Sequence, residues 1–197
     1  NDEFAMLATS IGVTLGWDEK TILELGMGCL LHNIGMSRVP KELRDSSIVL
    51  GPAQFAEVAL HPLHTFDILE ANTHIIPPLS RLVAYQIHER CDGTGYPRNR
   101  RAGAIHEAAK VAAVADVFVA LVSKRPHRPP MLPHYAAVHL LHGVREGKFD
   151  SAAVRALLKT VSLYPIGSYL ELKDGRIGRV LRAHREQYAR PVVELWN

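Results

Sequence analysis

Val111-Ala112-Ala113-Val114-Ala115-Asp116-Val117-Phe118-Val119-Ala120-Leu121-Val122 is the longest apolar run in the sequence, and a single carboxylate interrupts it. The run lies within a longer stretch of helical character, Ile105–Ser123. With Asp116 at its centre it cannot span a bilayer. A carboxylate among valines and alanines is expensive to bury unless it is paired or bound to a metal. A buried ion pair or cap contact and a metal site are both open readings of Asp116.

Upstream, Phe4–Leu15 carries apolar residues at 4, 7, 8, 11, 12 and 15, a helical stripe that Gly16 stops. Asp18 then caps a helix expected over Thr21–Met36. Pro40 opens a short third element. Gly51-Pro52 starts another helix that runs to about Leu69, with Pro62 kinking or restarting it. Leu79–Glu89 follows the Pro77-Pro78 break, and Cys91–Gly103 is a loop. Downstream of the long helix, Pro126–Pro133 is a second loop. Tyr135–Glu146 and Ser151–Val161 are helical, the latter capped by Asp150. After Pro165 the texture changes: Ser168–Leu172 alternates, Asp174-Gly175 is a hairpin signal, and Ile177–Leu181 and Val192–Trp196 are β-like. The expected fold class is all-α: a bundle of about seven helices over residues 1–163, with a small β-rich appendage over 164–197.

A chain of 197 residues fits one large domain, and 47% apolar with 22% charged residues excludes disorder and collagen-like repeats. The net charge of +3 is too small to argue for a nucleic acid polymer, and no basic helix is apparent. It suits an anionic small molecule. Cys29 and Cys91 cannot form a disulfide framework and read as reduced thiols, so a cytoplasmic location is expected. No membrane span or signal peptide is legible. Beginning at Asn1 and entering a helix at once, the chain reads as a piece of a longer protein.

Histidine is over-used, with 11 residues. His32, His61 and His88 lie on three different helices, and each alone is the kind of histidine a core can satisfy. Together with Asp116 on a fourth helix they support a metal site built inside a bundle.

Three stretches carry a family resemblance. Leu31-His32-Asn33-Ile34-Gly35-Met36-Ser37-Arg38-Val39-Pro40 resembles the HDIGK…VP signature of the HD-GYP family. Gln86-Ile87-His88-Glu89-Arg90-Cys91-Asp92-Gly93-Thr94-Gly95-Tyr96-Pro97 resembles that family's HHExxDGxGYP loop. Val114-Ala115-Asp116 through Ser123-Lys124-Arg125-Pro126 resembles its VAD…SxRPY helix end. The match is collinear from roughly Phe4 to Leu158. The resemblance implies an HD-type helical bundle that hydrolyses the bacterial messenger cyclic di-GMP with two or three iron or manganese ions. His32, His61, His88 and Asp116 match family metal ligands. Arg125 matches the arginine of the RP turn that contacts the dinucleotide, Arg128 sits where a basic residue is usual, and Lys124 is nearby. Gly93, Gly95, Tyr96 and Pro97 match a loop associated with a diguanylate cyclase (GGDEF-type) partner.

Three positions depart from that pattern. Asn33 stands where the bridging aspartate belongs, Ile87 where the first histidine of the HHE pair belongs, and Met36 where the lysine belongs. An amide brings one neutral oxygen, and its NH2 end faces a cation badly. Ile87 coordinates nothing, and Met36 removes a positive charge that would hold phosphate. Val119 also replaces a common acidic position one turn beyond Asp116. Arg98, Arg100 and Arg101 could add positive potential beside the GYP loop. The expected protein is thus a degenerate HD-GYP domain in cyclic di-GMP signalling, binding the dinucleotide or a partner protein with hydrolysis lost or much reduced. It would carry iron or manganese as a single ion, or no metal. The rival readings are a residual metal-dependent phosphodiesterase and a pure interaction scaffold.

Overall fold

The computed structural model describes residues 2–46, 48–124, 129–184 and 190–195. Helix α1 spans Asp2–Thr14 and α2 spans Glu19–Leu31; a 3-10 turn, Ile34–Arg38, follows. Next come α3 (Lys41–Arg44), α4 (Pro52–Val58), α5 (His61–Glu70) and α6 (Pro78–Gln86). Then follow α7 (Glu107–Val122), α8 (Pro133–Arg145) and α9 (Ser151–Thr160). Strands β1 (Tyr169–Glu171), β2 (Ile177–Arg182) and β3 (Val192–Leu195) end the described chain.

The caps explain the starts. Asp18 accepts from the Thr21 amide at 3.0 Å, and Asp150 accepts from Ala152 and Ala153 at 2.9 and 3.0 Å. Proline lies in the first turn of α4, α5, α6 and α8, where its missing N–H costs nothing. Nine α-helical segments are present among the described residues. Beyond the expected seven, the surplus comes from the four-residue α3 and from the break before Pro62, which separates α4 from α5.

The second helix is shorter than its apolar pattern suggests, ending at Leu31 rather than Met36. Tertiary packing ends it. The Gly35 amide donates to Thr65 Oγ1 at 3.0 Å, and that hydroxyl donates to the His32 carbonyl at 2.8 Å. Continuing α2 would use the Gly35 N–H internally and carry His32 and Gly35 away from α5.

Helix α7 is the axis of the bundle. Ala108, Ala112, Val114 and Ala115 are fully buried. Their small side chains let α1 approach with Ala8 and Ile11, α6 with Val83, α8 with Leu140 and α9 with Leu157, all of one core. Burying each of these larger aliphatic side chains stabilises the fold by about 1.5–3 kcal/mol. The sheet is antiparallel in the order β1-β2-β3, with Tyr169 opposite Arg179 and Arg179 opposite Glu194. Among the described residues no helix is long and apolar enough to cross a membrane.

Candidate functional site

His32 caps the C-terminus of α2, and its Nδ1–H donates to the Cys29 carbonyl at 2.7 Å. His61 opens α5, with Nδ1–H donating to the Val58 carbonyl at 2.8 Å. Each ring is thereby held with Nε2 as the lone-pair nitrogen, the arrangement that orients imidazoles toward a cation. His88 lies just past α6, and Asp116 sits midway along α7. The ring centroids of His61 and His88 are 5.0 Å apart, and those of His32 and His88 are 5.8 Å apart. His88 Nδ1 is 3.9 Å from Asp116 Oδ2. Folding therefore brings together the four residues singled out as ligands, from four separate parts of the chain.

Aromatic rings close the cluster. Phe4 meets His32 edge-on at 5.0 Å, and Tyr96 stacks on His88 at 4.9 Å with 22° between the planes. Burial pushes the Tyr96 phenol up to about 12, so it stays neutral. His61 Nε2 and His88 Nε2 are buried and have no hydrogen-bond partner among the described residues. Such groups cost about 1–3 kcal/mol each, and they call for a ligand.

Burial holds all three imidazoles below the ordinary histidine range. For His88, the neighbouring His61 and His32 and then the Arg90 guanidinium add to the effect. Unfolded, these groups titrate near about 6.5. Their contribution to stability is complete above that value and is lost as pH falls below it, because the unfolded chain takes up protons that the folded one refuses. The melting midpoint is expected to be about 5 °C or more lower at pH 5.5 than at pH 7.5. The gap should shrink in His61→Gln; equal midpoints in the parent would contradict the burial account.

The loop after His88 is stapled from within. Glu89 is buried, and its two oxygens accept from the Arg98 and Arg100 amides at 2.8 Å each. The Tyr96 amide donates to the His88 carbonyl at 3.1 Å. Gly93, Gly95, Tyr96 and Pro97 thus form a partly buried turn with Tyr96 facing the histidines. Arg90 donates to the Ile87 and Glu89 carbonyls at 3.3 and 2.8 Å and lies 5.3 Å above the Phe149 ring.

The three departing positions fall in different surroundings. Ile87 is fully buried in the apolar core with Cys29, Val83 and Val114. Asn33 and Met36 are half-buried at the 3-10 turn beside His32. Beside Asp116, a cavity of about 300 Å³ is lined by Glu3, Phe4, Asp116, Val119 and Lys124, among others. Lys124 is thus placed beside the cluster, whereas Arg125 and Arg128 lie outside the described residues. Phe4, Thr65 and Phe55, the last in edge-on contact with Tyr96 at 5.7 Å, belong to the site's surroundings without having been marked by any motif. Thr65 lies one helical turn after His61, a spacing that would place the two on one face of α5.

Among the described residues, no group of three or more His, Cys, Asp or Glu side chains is already arranged to hold a metal ion. The donor chemistry nevertheless fits one cation: two buried imidazole nitrogens lack partners, a third imidazole is fixed beside them, and one carboxylate lies near. For a second cation these residues offer less, because Ile87 has no donor atom and Asn33 brings no charge to bridge a pair.

A helical bundle that gathers histidines and a carboxylate from separate parts of the chain beside one axial helix is a bundle-core site of the metal-binding type. The model of the HD domain family matches residues 1–153, and the chain belongs to this family, in its HD-GYP group. The chain is 32% identical to the cyclic di-GMP phosphodiesterase PA4108 of Pseudomonas aeruginosa, over 90% of this chain and 42% of the relative. It is 32% identical to the 3'3'-cGAMP-specific phosphodiesterase 3 of Vibrio cholerae, over 84% of this chain and 35% of that relative. It therefore spans less than half the length of either. Among solved structures, Bd1817, an HDG"Y"P protein from Bdellovibrio bacteriovorus, superposes with a TM-score of 0.65 and 22% identity, covering 79% of this chain and 49% of that one. That likeness shows the fold.

Proposed function

We propose that this chain is a cyclic-dinucleotide-binding HD-GYP domain in which hydrolysis of cyclic di-GMP is lost or much reduced. The observation that carries the reading is the mixed state of one cluster. His32, His61, His88 and Asp116 are together, while Ile87 is built into the apolar core and Asn33 supplies an amide. An iron or manganese ion, when bound, would polarise a phosphoryl oxygen. His32, His61, His88 and Asp116 are the residues that would hold it. In this chain the imidazoles stay neutral through burial, Tyr96 and Phe4 exclude water, and Lys124 supplies positive charge for a phosphate beside Asp116. Arg125 and Arg128 are proposed to extend that charge. A cyclase-type partner would meet the outer face of the GYP turn, Thr94 and Arg98, because Tyr96 faces inward.

The two unpartnered Nε2 atoms favour a second reading, residual phosphodiesterase activity with one ion. One experiment separates the two: the chain is loaded anaerobically with manganese or ferrous iron, titrated with cyclic di-GMP by calorimetry, and its products are read by chromatography. Binding without product over a long incubation supports the lead reading. Rapid turnover that His32→Ala abolishes overturns it. Asn33→Asp is expected to tighten manganese binding by about tenfold or more, the scale of change that altering a metal's surroundings produces. Unchanged affinity would mean that position 33 does not reach the ion.

A further inference from the structure

We infer that Phe55, on α4, is a stacking wall for one purine base of the bound cyclic dinucleotide, and so a positioning residue that no motif marks. The inference rests on the cyclic-dinucleotide reading above. Phe55 stands perpendicular to Tyr96, 88° between planes, with ring centroids 5.7 Å apart. Tyr96 in turn covers His88 and lies 6.1 Å from His61. The chain of rings runs from the histidines outward and ends at Phe55, which is 50% exposed. Residues 52–57 of α4 are exposed throughout, so α4 is not covered by the bundle. Ile48, Val49 and Leu60 flank it and are also exposed, at 69%, 82% and 44%.

An apolar, aromatic rim beside a phosphodiester-binding centre suits one occupant. A dinucleotide whose phosphate rests among His61, His88 and Asp116 must carry its bases away from that polar centre, and a flat heterocycle stacks on an aromatic face whatever its edge pattern. Tyr96 is less available, because it is stacked on His88 and is also in ring contact with His61 and Phe55. Phe55 retains an open side. The wall therefore contributes affinity for any purine cyclic dinucleotide, while discrimination between guanine and adenine falls to polar groups elsewhere.

The test uses calorimetric titration of the whole chain with cyclic di-GMP, on the parent, Phe55→Ala and Phe55→Trp. Because Phe55 is half exposed, neither substitution disturbs the core. Phe55→Ala is expected to bind about tenfold more weakly, the scale of losing one base–aromatic stack. Phe55→Trp is expected to bind within about threefold of the parent. Its added indole fluorescence, measured against the parent's own tryptophans, should be quenched on titration by the stacked guanine. Parent-like affinity in Phe55→Ala, or no added quenching in Phe55→Trp, overturns the wall and leaves the functional reading standing. No binding of cyclic di-GMP by the parent overturns both.

Discussion

Gly35→Ala is expected to destabilise the fold by about 3 kcal/mol, lowering the melting midpoint by roughly 6–12 °C. A Cβ at Gly35 would fall well inside contact distance of the His61 carbonyl oxygen and the Thr65 nitrogen, and 2.6 Å from Thr65 Oγ1. Two of those atoms are backbone and cannot swing aside, so the 3-10 turn must lift from α5. Lifting it also breaks the buried relay from the Gly35 amide through Thr65 to the His32 carbonyl. The functional effect should exceed the stability effect. His32 and His61 are held together across this contact, so Gly35→Ala should lose manganese and cyclic di-GMP binding even at temperatures where its circular dichroism is that of the parent. Thr65→Val keeps the shape and removes the hydroxyl, and is expected to cost less, about 1–3 kcal/mol. A Gly35→Ala chain that melts with the parent would show that the turn and α5 are not pressed together as described.

Glu89→Ala carries the second large effect. The carboxylate is 2% exposed and accepts from two backbone amides of the loop. Truncation leaves both N–H groups without their partner, at a cost of about 2–5 kcal/mol. The loop leans on this strand of chain at another point. A Cβ at Gly95 would crowd the Arg90 amide and the Glu89 backbone, so Gly95 rides directly against residue 89. With the staple gone, Tyr96 is no longer pressed onto His88. The expected signature is a drop in midpoint of roughly 4–20 °C, with faster proteolysis confined to residues 92–101. Glu89→Gln, which keeps one acceptor oxygen, should recover part of both. If Glu89→Ala melts and is cleaved like the parent, the carboxylate does not order the loop.

Much of this architecture was legible in residue order. The helical stripes, the Asp18 and Asp150 caps and the proline starts mark local events, and local physics sets them. Three motifs, with His61 matched by position between the first two, pointed to His32, His61, His88 and Asp116 as a group, and the fold does gather them. The extent of α2 was not legible, because its apolar pattern runs on through Ile34 while a hydroxyl from residue 65 ends it. Phe4 and Phe55 were equally silent, because an aromatic residue on a helix looks the same in sequence whether it fills a core, edges an imidazole or lines a rim.

Sequence alone determined the chemistry present at each position: an amide at 33, a hydrocarbon at 87, imidazoles at 32, 61 and 88, and a carboxylate in the most apolar helix. Those identities fix which donor atoms the chain can offer a cation, without reference to any coordinate. Tertiary structure decided which of these groups share a space and in what state. Burial disfavours the protonated histidines, backbone carbonyls of Cys29 and Val58 choose the nitrogen that His32 and His61 present, and Tyr96 covers His88. Desolvation and hydrogen-bond partnership depend on what surrounds a group in three dimensions, and here residues dozens of positions apart in the chain supply those surroundings.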